Sequence, residues 1–578
     1  MLILKKSFFI LLIAFLIALI LIADLRLAII NTVGILLHRE LNMPAWNAWL
    51  QTKTPLLLGI LLFLFLTKKN YSFSTQFLNH FLDFVLKNRW SFLLGFASLV
   101  LIYGRQLYVL NGRIDTETLI NITPAPPVHY GLGRFGDMAT RLIFEGGFFN
   151  PYYSSVLAFL FLGVALVLFA YLSYKIGKIS SAFSSTVFVL FMVHPIWMEQ
   201  FYFHQQIKEV SFALVLIFLA LLLIHKIAQI KRSIFLIGVV PLFVWILATY
   251  QSLIFVYFAA TIFFFLIHLT PPPPQSYLEI KNAWRFAFYA AIVFVVGFLI
   301  NEIIFRAMGA SLDYVKNQFC WGKASVAVCA KQMVIHALFT AMGGGRSAAA
   351  GYGVGFLFGS ALLFIVGLRY APRPRWVFWM AYVLLQLSAF ALIFYAANIP
   401  AARSQMPFPF VVAANFALIF YFLPTKNSSK ILAGFFMLFV LLSQANAVLR
   451  LQYTDDLRFQ NDLLLMNNVE QRIALAGAAD LPLVIVGGAP LRLTNAAAEW
   501  ELIGKPVTRY ATGEGQYTTP NELHNFAKAL GVTFKQPTSE QQKRALEESQ
   551  TMPAFPADGS VKNMGDFVIV KLGEPGEK

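Results

Sequence analysis

Apolar runs recur along almost the whole chain, broken by short polar gaps. They fall at roughly 7–24, 54–67, 92–108, 151–173, 181–198, 210–225, 234–249, 252–269, 286–304, 352–368, 376–396, 408–423 and 431–448. A helix needs about 20 mainly apolar residues to cross the hydrocarbon core of a bilayer, and there it satisfies all of its own backbone hydrogen bonds. The pattern predicts a polytopic α-helical membrane protein with about thirteen spans. After residue 449 the pattern changes. "NDLLLMNNVEQRIALAG" has helical periodicity and stops at a glycine. "LPLVIVGG" and "GDFVIVKLG" read as short strands, while "TTPNELHNFAKALG" and "TSEQQKRALEES" open with capping signals. These elements predict a small C-terminal α/β domain. The expected organisation is an N-terminal extension with two spans over 1–87 and a membrane core over 88–452 with large loops at 109–150 and 305–351. The α/β domain follows over 453–578.

Composition agrees with the pattern. Hydrophobic residues make up 58% of the 578 and charged residues 13%, about half the charged share of a soluble domain. The first apolar stretch, "KKSFFILLIAFLIALILIAD", lacks a small-residue cleavage site and reads as a retained span. The net charge of +17 would suit a nucleic-acid partner, but its distribution does not. Residues 1–452 hold 33 Lys and Arg against 12 Asp and Glu, whereas residues 453–578 hold 12 against 16. The positive residues collect in alternate gaps: Lys68, Lys69, Lys87 and Arg89; Lys175 and Lys178; Lys226, Lys231 and Arg232; Lys281 and Arg285; Arg369, Arg373 and Arg375; Lys426 and Lys430. That alternation is the positive-inside signature. It predicts a cytoplasmic N-terminus, with both large loops and the C-terminal domain on the opposite, outer side.

The outward loops carry the candidate chemistry. "NGRIDTETLINITPAPPVHYGLGRFGDMATRLIF" supplies Asp115 and Glu117 just past a span. Acids at that depth need a task or a partner, and a carboxylate there suits a general base acting on an acceptor hydroxyl. Arg134, Asp137 and Arg141 share one helix face by spacing, with Asp137 between the two arginines. They read either as a phosphate grip or as a structural Arg–Asp–Arg network. Lys208, Arg346 and Arg403 are further cations able to neutralise a phosphate, the alternative being snorkelling at span ends. Tyr250 and Gln251 sit at a tight outward turn. His129 and His204 read as loop or interface histidines rather than metal ligands. "GFLFG" at Gly355–Gly359 reads as a helix-packing pattern. Cys320 and Cys329, the only cysteines, are expected to close a small disulfide ring in an oxidising space, the alternative being two unpaired thiols. An outer carboxylate, phosphate-gripping arginines and a membrane scaffold together suit transfer of a sugar from a polyprenyl-phosphate donor.

At these residues the chain resembles a known family. An acidic motif closing a span, then "GLGRFGDMATRLIF", a long span, the "TYQS" turn, Arg403 before a later span and "NDLLLMNNVEQRIALAGAADLPLVIVGG" resemble the Gtr type II family of bacterial glucosyltransferases, which modify O-antigen during serotype conversion. The resemblance covers roughly 88–578. It implies a GT-C-like fold in a bacterial inner membrane, with the catalytic carboxylate in the first large outer loop and a periplasmic C-terminal domain. It also implies a polyprenyl-phosphate-linked sugar donor, glucose in the first place, reaction with inversion, and a polysaccharide such as O-antigen or a lipid-linked oligosaccharide as acceptor. Asp115 matches the family's leading acid, Arg134 the arginine of its Gly-Arg pair, and Tyr250 and Gln251 its Tyr-Gln turn. Where the family often has two adjacent acids, Thr116 separates Asp115 from Glu117. Which acid is the base, and whether a divalent metal takes part, stays open. An O-antigen or capsule polymerase and a flippase for a lipid-linked sugar are the alternatives; span interiors almost free of charge weigh against the flippase.

Overall fold

The computed structural model describes residues 71–109, 111, 132–145, 149–269, 277–311, 313–342, 351–372, 374–423, 428–489 and 521–574. The first two expected spans lie outside them. Among the described residues, helices take up nearly all of the apolar sequence. Two long ones, α4 (Pro151–Gly177) and α7 (Ile207–Ile230), run through the middle of the core and are the most enclosed of the long apolar helices. α4 is started by Asn150, whose Oδ1 accepts from the Tyr153 amide at 3.1 Å, and by Pro151 in the first turn. α4 and α7 end on the left-handed residues Lys178 and Lys231, cations placed at the negative ends of their helix dipoles.

Around this pair pack α1 (Tyr71–Lys87), α2 (Arg89–Tyr103), α3 (Phe135–Glu145), α5 (Ser181–Met192), α6 (Ile196–Tyr202), α8 (Val240–Thr249), α9 (Leu253–His268) and α10 (Tyr277–Ala307). They are followed by α11 (Asp313–Lys316), α12 (Val326–Ala341), α13 (Gly351–Tyr370), α14 (Arg375–Ser388), α15 (Ala391–Ala396), α16 (Pro407–Phe422) and α17 (Ser428–Leu475). Among the described residues six helices are long and apolar enough to cross a membrane, and a bent pair raises this to seven. The chain is thus a mostly helical protein whose long apolar helices are those of a membrane protein. "GFLFG" does pack helices: a Cβ at Gly355 would lie 3.0 Å from Val440 and 3.3 Å from Val412, and one at Gly359 3.3 Å from Asn415.

Four details depart from the sequence reading. The run 181–198 is no straight span, because α5 and α6 meet at 76° across Val193–Pro195. Pro195 has no amide proton to continue the ladder, the Ile196 amide donates to His194 Nδ1 at 3.3 Å, and the Met192 carbonyl accepts from the Tyr103 hydroxyl at 3.0 Å. The basic gap before residue 92 contains α1, whose Phe77, Phe81 and Phe84 recur at helical spacing and pack on Tyr171. The loop 305–351 contains α12, a 16-residue apolar helix capped by Ser325. Finally, the run 431–448 and the following amphipathic segment form one 48-residue helix, α17, so the expected boundary at 452 falls inside an unbroken element.

α17 ends in a second hydrophobic cluster. There β1 (Leu483–Val486) pairs in parallel with β3 (Val568–Lys571), and β2 (Val561–Asn563) pairs antiparallel on the other edge of β3. Leu483, Ile485, Val568 and Val570 face Met466, Val469 and Ile473 of α17 and Phe526 of α18 (Asn521–Ala529). Val484, Val486 and Ile569 face Ala545 of α19 (Ser539–Ser549). The strand period of two thus puts a helix layer on each side of the sheet. α19 carries a complete capping box between Thr538 and Gln541. The glycine pair after β1 serves packing: Gly487 has φ +73°, and the Gly573 backbone occupies the place of a side chain there.

Candidate functional site

Two glycines set α3, the helix of the "GRFGD" sequence. Gly133 has φ +71°, a conformation glycine adopts without strain, and the Phe305 ring occupies the space where a Cβ would stand. Gly136 lets α3 touch the backbone of α8, since a Cβ there would lie 2.6 Å from the Trp245 carbonyl oxygen. The contact is locked by the Trp245 indole N–H, which donates to the Gly136 carbonyl at 3.1 Å and to Thr140 Oγ1 at 2.9 Å. The remaining face of α3 carries Asp137, Arg141 and Glu145 at intervals of four.

Those three meet Lys208 and Glu209 from the first turn of α7. Lys208 Nζ lies 2.7 Å from Glu209 Oε1 and 3.0 Å from Glu145 Oε2. Arg141 donates to the Gln205 carbonyl at 2.8 Å and lies 3.6 Å from Glu209 and 3.8 Å from Asp137. Ser154 Oγ donates to Glu145 at 2.6 Å. Three carboxylates thus surround two cations, and all five charged groups are buried. Burial alone would lower the Arg141 pKa, but Asp137, Glu209 and Glu145 outweigh it and hold the guanidinium above its ordinary value. Each charge here answers another.

A second group lies beside this knot. Arg134, half-buried, stacks on the Tyr250 ring with its guanidinium carbon 4.8 Å from the centroid. Its Nε donates to Gln251 Oε1 at 3.3 Å, and the Gln251 amide donates to the Leu132 carbonyl at 3.2 Å. Tyr250 and Ser404 share a hydrogen bond of 2.6 Å between their hydroxyls. Next to Ser404, Arg403 pairs with Glu199 of α6, whose other oxygen accepts from the Arg403 amide at 2.7 Å. Gln200 donates to the Arg403 carbonyl at 3.1 Å, and the Arg403 guanidinium stands over Phe203 at 5.1 Å. A continuous polar path therefore runs from the start of α3 across the α8–α9 turn and the turn before α16 to the elbow between α6 and α7. Along it, among the described residues, Arg134 is the cation with no carboxylate beside it.

The structure thus gathers Arg134, Tyr250, Gln251 and Arg403 in one stretch, and Asp137, Arg141 and Lys208 in the adjoining knot. Asp115, Glu117, Arg346 and His129 lie outside the described residues. His204 shares a hydrogen bond of 3.1 Å with Ser155 and is buried. Cys320 and Cys329 are joined with their Cα atoms 5.6 Å apart. The ring docks on the end of α15 through Cys320 N–H to the Ala396 carbonyl at 2.9 Å, a few residues before Arg403. Sequence reasoning passed over Glu145 and Glu199 as site members, and it set Glu209 in the outward polar cluster of Lys208 without giving it a role. Each lies within about one turn of a nominated cation or a polar turn, and an acid inside an apolar helix end was the available signal. Among the described residues no group of three or more His, Cys, Asp or Glu side chains is arranged to hold a metal ion.

Long apolar helices with a polar, charge-bearing path collected where they end are those of a membrane protein. The profile of the family described as Glucosyl transferase GtrII matches residues 107–421, more than half of the chain. The chain belongs to that glucosyltransferase family. It is thereby a membrane glycosyltransferase, with a sugar donor and a glycan acceptor. The match encloses both polar groups, from Arg134 to Arg403. No curated protein and no solved structure matches the chain.

Proposed function

We propose that the protein transfers a sugar, glucose in the first place, from a polyprenyl-phosphate donor to a surface polysaccharide such as O-antigen, on the periplasmic face of a bacterial inner membrane. The observation that carries this reading is Arg134, held by Tyr250 and Gln251 with no carboxylate partner among the described residues. An uncommitted guanidinium at the end of a membrane bundle is suited to a phosphate that a lipid anchors at that depth. Its neighbours Arg141, Lys208 and Arg403 are neutralised by acids.

In this reading Asp115 or Glu117 removes the proton from the acceptor hydroxyl. The acceptor oxygen bonds to the anomeric carbon as the bond from that carbon to the phosphate oxygen breaks, with inversion. Arg134 stabilises the charge gathering on the departing phosphate. The family's membership, the lysine- and arginine-rich alternate loops and the about thirteen apolar runs support a GT-C-like protein with its N-terminus cytoplasmic and its C-terminal α/β region periplasmic.

The test offers purified wild type, Asp115→Asn and Glu117→Gln a radiolabelled polyprenyl-phosphate glucose and a lipid-linked O-antigen acceptor, with and without chelator. One of the two variants is expected to fold normally and lose transfer by about a hundredfold or more. Full transfer by both would remove the loop carboxylates from the mechanism.

A further inference from the structure

The candidate base sits a few residues beyond a buried clasp that lies partly outside the family match. At the start of the first large loop, Asn111 is 3% exposed. Its amide nitrogen carries two hydrogens and gives one to each of two adjacent aspartates of α17: Asp455 Oδ2, and Asp456 Oδ1 at 2.9 Å. Arg105, in the short 3-10 turn Gly104–Leu107 that follows α2, pairs with Asp456. Arg458 is fully buried and bonds Asp455 at 3.0 Å and Asp462 at 2.8 Å. Gln452 adds a bond to the Ile102 carbonyl at 2.8 Å. Three aspartates and two arginines, nearly all out of solvent, thus hold both sides of the loop's first residues against one helix.

We propose that this clasp positions the first large loop for catalysis, with Asp455 and Asp456 acting through Asn111. The proposal rests on the reading of Asp115 or Glu117 as base. Four residues of extended chain reach at most about 14 Å, and six about 21 Å. Asp115 follows Asn111 by four residues and Glu117 by six, so the point at which the clasp fixes Asn111 bears directly on the reading of either acid as base. The same helix continues into the sheet-bearing C-terminal cluster: Met466 packs there eleven residues beyond Asp455, about 16 Å further along the axis. The C-terminal region is thereby tied through one helix to Asn111, at the start of the first large loop. This gives residues beyond 421 a role in a reaction whose family match ends there.

Reversing the hydrogen bond tests the idea in the full-length protein. Asn111→Asp puts a third carboxylate against two others. Adding Asp456→Asn restores a donor facing an acceptor with the original total charge, while the carboxylate at 111 still faces Asp455 and Arg105 loses its ion pair, so the restoration is partial. Two readouts are taken. Spin labels at Thr116→Cys and at the exposed Leu464→Cys report the distance distribution between loop and helix; both native cysteines are already joined. Label transfer gives kcat and donor KM. Asn111→Asp is expected to broaden the distribution and to lower kcat about tenfold or more with KM little changed, and the double variant to recover part of both. Should Asn111→Asp fail to fold, Asn111→Ala removes both bonds without adding charge and carries the same expectation without the rescue. An unchanged distribution, a broadened one with normal kcat, or no recovery in a folded double variant would each overturn the proposal. The distance readout does not depend on which residue is the base. Full activity of both Asp115→Asn and Glu117→Gln, with the distance response intact, would locate the error in the reading of the base.

Discussion

The two polar groups that meet at the end of α3 are built from similar residues and behave oppositely. In the knot, Arg141 and Lys208 are buried and each faces two or more carboxylates. In the neighbouring group, Arg134 is half-buried, faces an aromatic ring and a neutral amide, and has no acid beside it among the described residues. A buried cation without a partner is too costly to keep, and one with partners has little left to offer a ligand. The comparison teaches that a conspicuous charge in an apolar protein is more often mortar than tool. The residue to suspect is the one whose partners are neutral.

Breaking the knot is expected to have the largest effect. Lys208→Met leaves Glu145 and Glu209 buried beside Arg141 alone, a loss of about 3–5 kcal/mol. It should appear as a collapse in folded yield and thermal stability in detergent, while Arg134→Ala leaves both intact. If Lys208→Met protein melts like wild type and has lost donor binding instead, the division between the two groups is wrong. Arg134→Ala comes next, with kcat/KM lowered about a hundredfold, equivalent to about 2.7 kcal/mol of transition-state stabilisation. Arg134→Lys should recover only part, since a lysine cannot grip a phosphate bidentately. Gly136→Ala sharpens the comparison from the backbone side. Its methyl meets the Trp245 carbonyl, so α3 must move off α8 at a cost of about 1–3 kcal/mol, and transfer and thermal stability should fall together.

The smallest effect lies far from both groups. Burial holds the His524 pKa of α18 below its ordinary value. A proton therefore binds more tightly to the unfolded chain, so stability is whole above the unfolded value near 6.5 and declines as pH falls below it. His524→Gln should remove that slope from melting curves recorded between pH 5 and 7.5 without altering transfer at neutral pH.

Much of this was legible in the sequence, for definite reasons. Long spans such as α4 and α7 announce themselves because only an apolar helix suits a bilayer. Nothing in the length of 181–198 showed the elbow, although Pro195 carried the signal. α1 was hidden because its charges read as a loop, while its aromatic spacing over Phe77, Phe81 and Phe84 already gave the packed face. In the site, Arg134, Tyr250, Gln251 and Arg403 were nominated from three separate segments, and the fold brings them together. The spacing of Asp137 and Arg141 was equally visible, but whether they grip phosphate or each other depended on Glu209 and Lys208, 68 and 67 residues further on from Arg141. Pairwise chemistry between distant segments is a property of the packed chain, and no local pattern records it. The clasp of Asn111 on Asp455 and Asp456 is the extreme case, with 344 and 345 positions between partners.

The central claim is that a lipid-linked phosphate is the leaving group, and offering two donors tests it most directly. Purified protein is given radiolabelled polyprenyl-phosphate glucose or a radiolabelled nucleotide-diphosphate glucose, each with the polysaccharide acceptor. The account predicts that label reaches the acceptor from the lipid donor alone, and that Arg134→Ala abolishes most of this transfer. Label arriving from the nucleotide sugar, or label remaining on the lipid while it changes leaflet, would contradict it.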